Sequence, residues 1–224
     1  MISAAVLLGL AACADGAGPS SLLGAFAPAP TRAQQSPART AQIGYVPPET
    51  APAAPVRLHA RGTPAGAVDR LAGALAAAGL AIDIADPSRG IVVAIYSGDP
   101  TPYVECGSIF VFPVGAGAEP RRLPAETGRA TLDLGSPAAP AALARELRLD
   151  ARLALQLQPS GGEVEVLGDA TYVLTKTVRP ASGAAVRDVV SFRSGESGRF
   201  ARGTVCQPNG RLERLAPAAL LGTA

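Results

Sequence analysis

Histidine occurs once in this chain, at His59, tryptophan not at all, and lysine only at Lys176. Cysteine is limited to Cys13, Cys106 and Cys206. One histidine and three widely separated cysteines exclude the usual clustered zinc sites, so no metal ligand is expected. Aromatic residues make up 4% of the chain, and 20 basic against 18 acidic residues leave a net charge of only +2. Those charges are scattered without a basic stripe, which argues against a nucleic-acid surface. No apolar run approaches the roughly 20 residues that a membrane-spanning helix needs. A Gly-x-Ser-x-Gly elbow, a phosphate loop and a dinucleotide-binding glycine pattern are all missing. The remaining candidates for chemistry read as ordinary structure. Gly195-Glu196-Ser197-Gly198 reads as a hairpin turn, His59 as a surface residue, and Asp99 and Glu105 as carboxylates of a solvated loop. No catalytic residue and no cofactor site is assigned.

The chain does have an apolar start, Ile2 to Ala12, that ends in Leu10-Ala11-Ala12-Cys13. A short apolar segment closing on small residues suits a secretory signal. The tetrapeptide resembles the lipobox of bacterial lipoproteins. That resemblance implies a signal peptide over 1–12 and acylation of Cys13, by palmitate-type chains, as the mature N-terminus. It also implies anchorage in the cell envelope. Ala14 in place of Asp resembles an outer-membrane sorting signal, with the domain facing the periplasm and the inner membrane left open. Residues 14–54 are dominated by Ala, Pro, Gly, Ser, Thr and Gln, with Pro19, Pro28, Pro30, Pro37, Pro47, Pro48 and Pro52. Such a segment buries too little surface to offset its ordering entropy. The reading is a lipidated tether over 13–54 and one folded domain over 55–224.

With Cys13 acylated, Cys106 and Cys206 remain as a pair in an oxidising compartment, where disulfides persist. Two buried free thiols are the alternative.

In the domain, Thr63-Pro64 opens a helix that carries Val68, Leu71, Ala72 and Leu75 on one stripe and ends at Gly79-Leu80. Leu80, Ile82 and Ile84 alternate as a half-buried strand. Asp86-Pro87-Ser88-Arg89-Gly90 turns the chain into a returning strand over 91–96. A third strand is expected over 103–114, with Val104, Cys106, Ser108, Phe110 and Phe112 on one face. The stretch 115–140 reads as irregular, with one strand over 130–134, and 141–147 as a short helix. Strands follow over 153–157 and 163–178, the second with a bulge at Gly168-Asp169. A final hairpin pairs 186–193 with 199–206. A last helix holds Leu212, Leu215, Ala216, Ala219 and Leu220, kinked or split by Pro217. Hairpin-length connections dominate. The expected class is therefore α+β: a mainly antiparallel sheet with one N-terminal-side helix and a C-terminal helix packed on one face.

Leu71, Leu75, Gly79-Leu80, Ile82-Asp83-Ile84, the Asp86–Gly90 turn and Ile91-Val92-Val93 together resemble the helix–hairpin unit of BamC-like lipoproteins of the outer-membrane assembly machinery. The resemblance implies a helix-grip fold, in which an antiparallel sheet curls around a helix. The segments at Tyr103–Gly107 and Cys206–Glu213 resemble an uncharacterised proteobacterial lipoprotein group with paired cysteines. The expected function is that of a non-enzymatic, membrane-anchored envelope lipoprotein. It would act through protein–protein contact in outer-membrane assembly or maintenance, with an envelope protein as its partner. Two alternatives stay open: a carrier of a small apolar ligand or lipid in a cavity between helix and sheet, and an envelope hydrolase with an unrecognised site.

Overall fold

The computed structural model describes residues 41–112, 119–135, 141–201 and 203–221. Cys13, the 1–12 signal and the first part of the tether lie outside the described residues. Strands β1 (Gln42–Val46) and β2 (Val56–Ala60) precede helix α1 (Pro64–Ala77). Then come β3 (Ala81–Asp86), β4 (Ile91–Gly98), β5 (Val104–Glu105), β6 (Ser108–Phe112), β7 (Arg121–Pro124) and β8 (Arg129–Asp133). A long hairpin of β9 (Ala142–Ser160) and β10 (Glu163–Pro180) leads to β11 (Val186–Arg193), β12 (Gly198–Arg199), β13 (Val205–Pro208) and helix α2 (Arg211–Leu221). The class is α+β with antiparallel pairing, as expected.

The β9–β10 hairpin is the spine. β4 and β8 pair with successive lengths of β9, while β2 and β11 pair with successive lengths of β10. β3 pairs with β4 and ends the sheet order. Side chains alternate across a sheet, so one face carries Leu147, Leu149, Leu153, Leu155 and Leu157 of β9. Opposite them stand Val164, Val166, Ala170, Tyr172 and Leu174 of β10, all buried. α1 packs on this face against β3, β4 and β9, and α2 against β2, β10 and α1. Thr63 Oγ1 accepts the Gly66 N–H at 3.2 Å and so caps α1. At its other end Gly79 takes φ +86° and Leu80 folds back into the core. The packing stripe is Ala67, Val68, Leu71 and Leu75, all fully buried. No helix among the described residues is long and apolar enough to cross a membrane.

Several expectations need correction. The tether does not run to residue 54: β1 pairs with β6, and Gly195 donates its N–H to the Ala53 carbonyl at 2.6 Å. The domain therefore begins before residue 55. The expected helix over 141–147 does not form: residues 142–147 are strand, because Leu143, Arg145 and Leu147 continue the inward phase of β9, and pairing with β8 and β10 overrides helix propensity. Register through Gly168-Asp169 is continuous, so no bulge forms there. The irregularity lies in β3 instead, between Ile82 and Ile84, and turns Ile84 to the other face. The third strand is broken at Gly107, whose φ of +76° strains any L side chain; a Cβ there would also sit 2.1 Å from the Val46 carbonyl. β5 consequently joins β13, while β6 joins β1 and β7 with Ile109 and Val111 buried; Phe110 is half-buried and Phe112 exposed. The final hairpin does not form, since β11 pairs with β10 and β12 with β13. Pro217 stands inside a single helix, α2.

Candidate functional site on the helix-free sheet face

β4 reads Ile91-Val92-Val93-Ala94-Ile95, apolar on both faces, which is the pattern of a strand covered on both sides. Only Val92 and Ala94 meet the helices. On the opposite face, cross-strand register aligns three rows. One row runs Ile91, Gln156, Leu167 and Arg57; the next runs Ile84, Val93, Ala154 and Asp169; the third runs Ala81, Ile95, Arg152 and Thr171. Ile84 and Ile95 are each 41% exposed, and Ile84 is there because of the irregularity in β3. The result is an apolar patch on the face without helices, next to the edge strand β3.

A groove of about 670 Å³ lies between the first two rows, lined by Ile91, Ala154, Leu167 and Pro55, with Arg57 and Asp169 at its polar end. That size suits a small ligand or a few side chains of a partner. Arg193 donates to Asp169 Oδ2, through Nε at 2.6 Å and through its terminal nitrogen. Asp169 Oδ1 is buried with no hydrogen-bond partner. Arg57 pairs with Glu165 at 3.5 Å, and Gln158 donates to Glu165 at 3.0 Å. The charges around the groove are thus paired off, which leaves apolar area and one unsatisfied acceptor. Such a groove favours an uncharged apolar occupant that brings a single hydrogen-bond donor.

A second polar cluster is internal. Glu213 of α2 is buried under Tyr172 and Ser194, and its Oε2 has no partner. Burial, reinforced by the Glu213 carboxylate, pushes the Tyr172 hydroxyl well above its usual range. Neither group was evident from sequence; the available signal was a carboxylate beside the apolar stripe of the last helix.

Cys106 and Cys206 meet with their sulfurs at bonding distance, 2.05 Å, and both are fully buried. The Tyr45 hydroxyl lies beside the same junction, 3.1 Å from the Cys106 carbonyl and 3.0 Å from the Val205 carbonyl, and accepts the Val205 N–H at 2.8 Å. His59 is exposed on β2 opposite Glu165. Asp99 and Glu105 are not brought together. Asp99 accepts the Thr101 N–H at 2.8 Å in one groove, and Glu105 accepts the Thr50 hydroxyl at 2.7 Å in another. Gly195–Gly198 connects β11 to β12 as a turn, though those strands do not pair with each other. Among the described residues no group of three or more His, Cys, Asp or Glu is placed to hold a metal ion. Val68, Leu71 and Leu75 fill the space between α1 and the sheet, and the grooves described above are lined by other elements. Neither a family model, nor a curated protein, nor a solved structure matches this chain.

Proposed function

We propose that this chain is a membrane-anchored lipoprotein of the bacterial envelope, whose domain binds a protein partner through the helix-free face of its sheet, in outer-membrane assembly or maintenance. The observation that carries the reading is the uncovered apolar patch of Ile84, Ile91, Ile95 and Leu167 around the buried Val93. Contiguous apolar surface of this kind marks interaction sites. The joined pair Cys106 and Cys206 suits the oxidising compartment that the lipobox-like Leu10–Cys13 implies. A photo-crosslinking residue at position 95 in intact cells should give one defined envelope adduct, lost on Ile84→Ser. The same residue at the exposed Arg70 of α1 should give none. Equal adducts from both positions, or none from position 95, would sink the contact surface. Mass spectrometry of the mature N-terminus tests the anchor separately, with an acylated Cys13 as the expected result.

The unpaired Asp169 Oδ1 favours a second reading, in which the groove holds a small uncharged amphiphile through its hydroxyl or amide N–H. Native mass spectrometry of protein isolated without detergent should then show a co-purifying ligand that is lost on Leu167→Arg. A ligand-free protein would remove this reading.

A further inference from the structure

The helix-free side of β9 carries its charges in a self-complementary order. Alternating with the buried leucines, it reads Ala144, Glu146, Arg148, Asp150, Arg152 and Ala154. A two-fold axis lying across the strand at Leu149 would set this row antiparallel on its own copy. Arg148 then meets Asp150, Glu146 meets Arg152 and Ala144 meets Ala154, each pair formed twice, as an isologous contact requires. A parallel overlay of the same row would place every charge against its like, so the pattern selects one orientation. The central pair is already held in place. Arg148 lies 3.5 Å from Asp150, and the Ser97 hydroxyl donates to Asp150 and accepts from Arg148 at 2.6 Å. Arg152 is exposed and makes no ion pair among the described residues, while Glu146 meets the exposed Arg129 at 3.4 Å.

We infer that the centre of the helix-free face binds a second copy of this chain, with β9 crossing β9. Strand addition at the β3 edge is the poorer route. The irregularity between Ile82 and Ile84, with the exposed Asp83 inside it, interrupts the ladder that an added strand needs. Packed sheets lie about 10 Å apart and rotate by about 30°, so contact is closest where the central strands cross. Arginine side chains reach across such a gap, and the small Ala144 and Ala154 flank the charges. Arg187 and Arg193 of β11 also come towards each other, but two strands from the axis the rotation carries them apart, and Arg193 is already paired with Asp169. The patch of Ile84, Ile91 and Ile95 lies on β3 and β4, to one side of the crossing. The dimer and the partner surface proposed above can therefore fail independently.

The test uses the full chain carrying Cys13→Ser, which prevents acylation and intermolecular disulfides through that residue. It should sediment as a dimer at about 100 μM in low salt and dissociate as ionic strength rises. Glu146→Arg/Asp150→Arg makes the row wholly basic, and Arg148→Glu/Arg152→Glu makes it wholly acidic. Each variant alone should self-associate at least about tenfold more weakly. An equimolar mixture of the two should restore the dimer, because every facing pair is then of opposite sign. The four side chains are well exposed, and unchanged melting temperatures check that the fold is kept. A photo-crosslinking residue at Thr175, beside Arg148 on β10, should join two copies with the charges intact, which decides the matter if a variant folds poorly. A monomeric parent chain, a dimer that survives in either charge variant, a mixture of folded variants that stays monomeric, or no self-adduct from position 175 would overturn the second-copy surface. The envelope adduct from position 95 reads the partner surface separately.

Discussion

Tyr172 of β10 donates its hydroxyl to Glu213 Oε1 of α2 across 2.7 Å, and Ser194 donates to the same oxygen at 2.8 Å. Ser194 Oγ in turn accepts the Ala170 N–H at 2.9 Å. One carboxylate oxygen therefore joins the last helix to the centre of the sheet and to the turn after β11. Its other oxygen is buried without a partner. Glu213→Ala should leave two buried hydroxyls short of an acceptor and destabilise the fold by about 3 kcal/mol. Glu213→Gln keeps the shared acceptor and removes a buried charge, and should cost under about 1 kcal/mol. Urea denaturation midpoints measure both. A glutamine variant as damaged as the alanine variant would show that the charge itself is needed.

Alkaline stability follows from the tyrosines. Burial raises the hydroxyls of Tyr45, Tyr96, Tyr103 and Tyr172 above their ordinary values, most of all Tyr172. Below about pH 10 they are neutral in both folded and unfolded chains and contribute no pH dependence. As pH rises through the unfolded value, the unfolded chain loses protons that the folded chain keeps, so stability falls. Tyr172 alone should contribute a slope approaching about 1.4 kcal/mol per pH unit. The Arg145 guanidinium, pushed down by burial, acts in the opposite sense once its own range is reached. Unfolding free energies should be flat to about pH 9.5 and decline above pH 10, with a shallower decline in Tyr172→Phe. An unchanged slope in that variant would assign the effect to other groups.

The Cys106–Cys206 link has a sequence separation of 100 and fastens the β5–β6 junction to β13. Closing a loop of that length is nominally worth about 4.7 kcal/mol through the unfolded state, and engineered links often give less. The double variant Cys106→Ala/Cys206→Ala should lose about 3 kcal/mol, read from urea midpoints. Both sulfurs are fully buried, so alkylating reagents should label neither cysteine until the protein is reduced and unfolded. Ready labelling of the native protein would mean that the link is not formed in solution.

Local signals were legible where local chemistry decides the outcome. Thr63-Pro64 starts α1, Gly79 ends it, and Asp86 Oδ1 accepts the N–H groups of Ser88 and Arg89 to close the turn into β4. Residues 91–96 were legible as the returning strand as well, yet Ile82 and Ile84 gave no sign that an irregularity would part them. The segment 142–147 has helix-forming composition and becomes strand only because β8 and β10 flank it, a pairing between distant residues. The helix-free face escaped notice for the same reason. Ile84, Ile95, Ala154 and Leu167 become neighbours through cross-strand register, which a linear reading does not provide.

The domain boundary gives the last test. Composition alone sets residues 41–54 in the tether, because prolines and small residues dominate them. The structure makes the same segment a cover for the disulfide junction. β1 pairs along β6, Tyr45 holds the Cys106 and Val205 segments together, and Gln207 donates to the Thr50 carbonyl at 2.7 Å. Ala53 donates to the Pro208 carbonyl at 3.2 Å, just before α2. A chain beginning at Ala41 should keep the melting temperature of the full chain to within a few degrees. A chain beginning at Pro55 strips β6 of one ladder partner and leaves several half-buried polar groups unpaired, each worth about 1 kcal/mol or more. Its loss should reach at least about 4 kcal/mol, a large share of the 5–15 kcal/mol typical of a domain. Near-ultraviolet circular dichroism and protease resistance would register it. Equal melting of the two chains would restore residues 41–54 to the tether.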